Sequence, residues 1–241
     1  MNAKGFFTLF LQFKGEEIIT HQKTKDLRMS HTKNIPASVM ELICSRMMHD
    51  IVSPVGAISN GIELMREMNE VGGGDEALDL IAKSAEQARR RVRMFRYVYG
   101  AAGSRRNIDA NDMRTAAFEY FEGSRPVLEW SETAFDLNQD LPQGIMKATL
   151  CLLMLGGEMI TKAGLIKVSS NSMVPPTINI EVSGENSGFR PGQQAALEGT
   201  IEAADLDPRL IHAYVSGVYI KTYGINLSIA RGENYHVTFT L

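Results

Sequence analysis

The sequence predicts an α+β protein. Two long antiparallel helices, doubled by a second copy into a four-helix bundle, are followed by a smaller α/β layer. Three observations carry this. The windows 36–69 and 75–99 repeat apolar residues at spacings of three and four, the mark of helices that each bury a stripe. Only Val71-Gly72-Gly73-Gly74-Asp75 separates them, a turn so short that the helices run antiparallel. Past Gly100-Ala101-Ala102-Gly103-Ser104-Arg105-Arg106 the pattern changes to short alternating runs interleaved with helices, which builds a sheet with helices on one face. The expected divisions are a loosely ordered leader at 1–33, a helical hairpin at 34–103 and the α/β layer at 104–241.

Each element has its own warrant. Pro36 suits a first helical turn, where the missing N–H costs nothing, and the first helix runs to about residue 69. Its apolar stripe is Met47, Ile51, Val55, Ile58, Ile62 and Met65. Pro54 lies inside it; proline cannot donate to the carbonyl one turn earlier, that of Asp50, so a bend is expected there. Asp75 caps the second helix, whose stripe is Leu78, Ile81, Ala85, Ala88, Val92, Phe95 and Tyr99. Neither stripe is covered by its hairpin neighbour alone, so a homodimer is expected. Further on, helices are predicted at 111–122, 142–161 and 207–223. Strands are predicted at 126–130, 165–168 and 178–182, with a final hairpin of 225–229 and 235–241.

Composition removes several classes of function. A 241-residue chain with 44% hydrophobic residues buries a sizeable core, and a net charge of −3 implies neither nucleic acid nor an anionic membrane as partner. No apolar run reaches the ~18 residues of a membrane span, and the start of the chain is a poor secretory signal. A cytoplasmic protein is expected. Cys44 and Cys151 lie in apolar helical runs without metal spacing and read as small core residues. His212 and His236 have no partners at ligand spacing and read as structural or exposed.

The informative face is the one opposite the first stripe: Ser45, His49, Ser53, Gly56, Asn60, Glu63 and Glu67. It presents one imidazole to solvent and is otherwise small around it. Neutral imidazole is nucleophilic at one nitrogen, and the adjacent carboxylate of Asp50 holds or accepts the proton on the other. The hairpin geometry brings the arginine-rich stretch of the second helix, around Phe95, to the level of His49. Arg93 and Arg96 are the candidates there to offset phosphate charge or attract an acidic partner.

The string Ser45-Arg46-x-x-His49-Asp50-x-x-Ser53-Pro54-x-Gly56-Ala57-Ile58-x-Asn60-Gly61-x-Glu63-Leu64 resembles the phosphoacceptor box of sensor histidine kinases. More narrowly, it resembles the ChpT-type histidine phosphotransferases of alphaproteobacteria, whose element order is similar over 37–241. The resemblance implies a dimeric, kinase-like hairpin followed by a degenerate ATPase-like α/β sandwich. It implies His49 as phosphoacceptor, tuned by Asp50. Ser53, Pro54, Gly56 and Asn60 would then form a docking floor, with Arg46 and Glu63 at its rim. The implied partners are receiver domains of a hybrid histidine kinase and of cell-cycle response regulators, with Mg²⁺ brought by the receiver and no cofactor of the chain's own.

The rest of the chain separates carrier from kinase. A kinase ATP site needs a helix with a metal-holding Asn, an Asp-x-Gly-x-Gly turn and a glycine-rich lid. Here the helix reads Lys147-Ala-Thr-Leu-Cys-Leu-Leu-Met-Leu-Gly-Gly-Glu158 and the turn Ser183-Gly184-Glu185-Asn186-Ser187-Gly188, with no lid after it. A phosphorelay intermediate is therefore expected. A histidine kinase with divergent ATP binding, a non-catalytic dimerisation or scaffold module, and a phosphatase with Ser53 orienting water are the alternatives.

Overall fold

Helix α1 spans Ala37–Met68 and α2 spans Gly74–Val98. The computed structural model describes residues 36–68, 74–104, 109–131, 141–173, 176–232 and 237–240. The expected leader, the glycines Gly72 and Gly73, and Asp136, Asp140 and His236 lie outside the described residues. The helices run antiparallel: Gly61 meets Ala77 and Ile81, whereas the earlier Asp50 meets the later Arg91. A Cβ added to Gly61 would stand 2.6 Å from Ile81 Cγ1 and 3.3 Å from the Ala77 carbonyl, so glycine permits the close approach. Helix α1 continues without interruption through Pro54.

The seam between the two helices is rotated from the predicted stripes. Val39, Pro54 and Gly61 are buried on α1, and Ala77, Ser84 and Phe95 on α2. Met47, Ile51, Ile58 and Met65 flank this seam half-buried, while Val55 and Ile62 are exposed, as are Leu78 and Val92 on α2. The apolar stripe is wider than one neighbouring helix covers. Two corrections concern single residues of α1. Cys44 is exposed, unlike the buried Cys151, and Pro54 belongs to the packed seam and not to the outward face expected for docking.

A 3-10 turn at Ala101–Ser104 leads into α3 (Ala110–Phe121), capped by Asp109, whose side chain accepts from the N–H groups of Asn111 and Asp112. Then follow β1 (Pro126–Trp130), α4 (Ile145–Met159), β2 (Gly164–Met173), β3 (Pro176–Gly184), α5 (Gln193–Glu198), α6 (Ile211–Thr222), β4 (Ser228–Arg231) and β5 (Val237–Thr240). The sheet order is β1-β2-β3-β5-β4; β1 and β2 are parallel across the α4 crossover, and the other pairs are antiparallel. The mixed α+β class is as expected. The predicted helix at 207–223 begins later, because Asp207 first closes a turn by accepting from the N–H groups of Arg209 and Leu210.

Helix α4 is the centre of the layer. It is buried from Ile145 to Gly156 and apolar there except for Lys147 and Thr149, with β2 and β3 on one side and α2, α3 and α6 on the other. Its last turn is small for a reason. A Cβ on Gly156 would stand 2.8 Å from Val182 Cγ2, and one on Gly157 2.9 Å from Phe121 Cε1. These close contacts bring Glu158, the first carboxylate of α4, to the edge of the hairpin.

Candidate functional site

Helix α1 presents Ser45, His49, Ser53, Gly56, Asn60, Glu63 and Glu67 as one exposed face, as the helical period requires. The His49 side chain is 85% exposed, and nothing lies within 4 Å of a Cβ built on Gly56. The Nδ1 of His49 is 3.3 Å from Asp50 Oδ1. A carboxylate only accepts, so this contact favours the tautomer with the proton on Nδ1, leaving the Nε2 lone pair toward solvent.

Asp50 is held from three directions. Its Oδ2 accepts from Arg46 Nε at 3.3 Å, one helical turn earlier, and its Oδ1 faces His49. Its backbone carbonyl accepts from the Arg91 guanidinium of α2. That last bond follows from Pro54. The residue four places on has no N–H to give, and an arginine from the facing helix takes up the orphaned carbonyl.

Arg46 in turn donates through Nη2 to Glu158 Oε1 at 2.7 Å, tying α1 to the end of α4. Burial works against the Arg46 charge, but Glu158 and Asp50 outweigh it and its pKa is raised. The other oxygen of Glu158 accepts from Gln193 Nε2 at 3.1 Å, and Gln193 Oε1 accepts from the Arg190 N–H at 2.9 Å. A groove of about 720 Å³ opens beside this cluster, lined by Arg90, Arg91, Tyr120, Glu122, Gly157 and Glu158 among others.

Comparisons with known proteins identify the family. A family model described as the histidine phosphotransferase C-terminal domain matches residues 110–235. The protein phosphotransferase ChpT of Brucella abortus (strain 2308) is 36% identical over 191 residues, 78% of this chain and 88% of that protein. The chain belongs to the histidine phosphotransferases. A solved bacterial phosphotransferase shares the fold at a TM-score of 0.72, with 31% identity over 86% of this chain and 97% of that one. The activity of the present chain is phosphoryl transfer within a phosphorelay.

The remaining predicted residues of this histidine phosphotransferase are placed as follows. Ser53, Asn60 and Glu63 are exposed on the His49 face. Arg46 lies inward of it, with 24% of its side chain exposed and both edges of its guanidinium engaged. Arg93 donates to Glu119 at 2.6 Å and to Asp112, pairs that bind α2 to α3, and Arg96 lies over the Tyr97 ring. The arginine at the level of His49 is Arg91, about one turn before the expected Phe95.

Sequence reasoning passed over Arg91 in favour of Arg93 and Arg96 from the same stretch, and missed Glu158 and Gln193. Glu158 left a signal, being the lone carboxylate in an apolar helix, which is costly unless paired. Lys147, at the other end of α4, is buried in the same way. It donates to the Gly100 carbonyl at 2.9 Å and the Ser104 hydroxyl at 3.2 Å, and sits 4.0 Å from the centre of the Tyr219 ring. Burial lowers its pKa.

Among the described residues no cluster of three or more His, Cys, Asp or Glu side chains is arranged to hold a metal ion, and no helix is long and apolar enough to cross a membrane.

Proposed function

We propose that His49 is the phosphoacceptor, and that the protein relays a phosphoryl group from the aspartate of one receiver domain to that of another. The observation that supports it is the exposed His49 ring, backed by Asp50, on a face cleared of bulk by Ser45, Ser53, Gly56 and Asn60. In the transfer the Nε2 lone pair attacks phosphorus in line and the N–P bond forms. The P–O bond to the receiver aspartate breaks, and its electron pair leaves on that carboxylate. The Nδ1 proton stays on the ring, hydrogen-bonded to Asp50. Such a reaction asks the carrier for positioning and charge balance and little else.

The partners proposed are the receiver domain of a hybrid histidine kinase and those of response regulators, which bring their own Mg²⁺. Ser53, Gly56, Asn60 and Glu63 form the floor on which they dock. The working unit is a homodimer closed over the exposed apolar flank of α1 and α2.

The test is transfer from a phosphorylated receiver. Wild type should take up label and pass it to a second receiver, and His49→Gln should take up none while still binding the receiver. Uptake by His49→Gln at the wild-type rate would remove the proposal. Labelling of wild type by ATP and Mg²⁺ alone would turn it toward a kinase.

A further inference from the structure

We propose that Glu158, on the second layer, is a positioning residue for phosphoryl transfer, acting through Arg46 on Asp50 and thereby on His49. The inference rests on His49 being the phosphoacceptor.

A continuous set of contacts carries it. Glu158 lies at the end of a helix that is apolar for most of its length, and its side chain is only 12% exposed. A carboxylate so placed needs both oxygens hydrogen-bonded. Both are: Arg46 Nη2 at 2.7 Å on one, Gln193 Nε2 at 3.1 Å on the other. Gln193 is itself fully buried, and its carbonyl oxygen is occupied by the Arg190 N–H. Glu158 is therefore fixed from the side of the α/β layer. The guanidinium is rigid and planar, so fixing its Nη2 also sets the direction of Nε. Nε then meets Asp50 Oδ2 at 3.3 Å, which leaves Oδ1 of the same carboxylate facing His49 Nδ1 at 3.3 Å.

His49 itself has no packing to orient it, since its ring is almost wholly in water. Asp50 has little freedom, because its carboxylate is held by Arg46 and its carbonyl by Arg91. The orientation of an exposed nucleophile is thus borrowed from a buried carboxylate on another element. Charge supports the same reading. Arg46 alone would neutralise Asp50, whereas Arg46 shared with Glu158 leaves more of the Asp50 charge to hold the Nδ1 proton of His49.

A mere staple between α1 and α4 predicts a loss of stability and nothing more. A positioning role predicts a change in rate and in the imidazole itself. Glu158→Gln keeps the shape and the contact with Gln193 but removes the charge. Arg46→Lys keeps the charge but loses the two-edged plane. At saturating phosphorylated receiver, each should slow single-turnover transfer roughly tenfold, with the half-saturating receiver concentration unchanged. The double variant should be no slower than the slower single one. The ¹⁵N shifts of the His49 ring should show a smaller fraction of the tautomer protonated on Nδ1.

Wild-type transfer rates in both variants, effects that multiply in the double variant, or a loss confined to half-saturation would each overturn the inference. Should Glu158→Gln fail to fold, Arg46→Lys carries the same readouts. His49→Gln keeps the two proposals apart. If that variant transfers normally, the phosphoacceptor reading fails; if it is inactive while Glu158→Gln is unimpaired, only the role of Glu158 falls.

Discussion

His49 and His212 carry the same ring in opposite surroundings. His49 stands in water with one carboxylate beside it. His212 is fully buried; its Nε2–H donates to the Cys151 carbonyl at 2.9 Å, and its Nδ1 accepts from the Tyr99 hydroxyl at 2.8 Å. Both nitrogens are used in the neutral form, and burial lowers the pKa of His212 from its ordinary 6.5. The unfolded chain takes up a proton near that value and the folded chain resists it. Its contribution to stability is therefore complete above pH 6.5 and is lost as the pH falls below it. The expected loss is about 1 kcal/mol for the first pH unit below that value. Urea midpoints at about pH 7.5 and about pH 5.5 measure it. His212→Asn should show a smaller difference between the two, and an equal difference would assign the acid sensitivity to other groups.

At the scale of elements, α1 tolerates a proline in its middle because α2 supplies what the proline withholds. Arg91 donates to the Asp50 carbonyl that Pro54 leaves open. Losing that donor strands a partly buried acceptor, which costs about 1–2 kcal/mol. Arg91→Met is expected to lose that much in urea denaturation. In a Pro54→Ala background, where residue 54 again has an N–H, the same change should cost far less. Equal losses in the two backgrounds would mean that Arg91 stabilises the hairpin by another route. The element also explains why its face was easy to place and its seam was not. His49, Ser53, Gly56 and Asn60 follow from a period of 3.6, whereas the buried line of Val39, Pro54 and Gly61 depends on where α2 lies.

For the molecule as a whole, the exposed flank of the hairpin is its least saturated surface. Val52, Val55 and Ile62 on α1, with Leu78 and Val92 on α2, are each more than 40% exposed in a single chain. In the proposed homodimer a second copy would cover them, at a gain of roughly 25 cal/mol per Å² of apolar area removed from water. Light scattering is expected to give the mass of two chains for wild type. Val52→Glu combined with Val55→Glu, which buries two like charges at that seam, should give the mass of one. A wild type of one-chain mass, or a double variant that stays paired, would point these side chains to another purpose.

Local periodicity was enough to place the hairpin, the outward face of α1 and the identity of His49 and Asp50 as neighbours, because helical phase is set by residues within a turn or two of each other. The α+β class and most of its elements were legible for the same reason. Tertiary structure alone decided which edge of each stripe is buried, that Cys44 is exposed, that Arg91 reaches Asp50 and that Glu158 reaches Arg46. Those contacts join residues 41 and 112 positions apart in the chain. No local pattern records such a pairing, since it depends on how α4 is seated among its neighbours: tight packing at Gly156 and Gly157 brings a carboxylate to the helix that carries the imidazole.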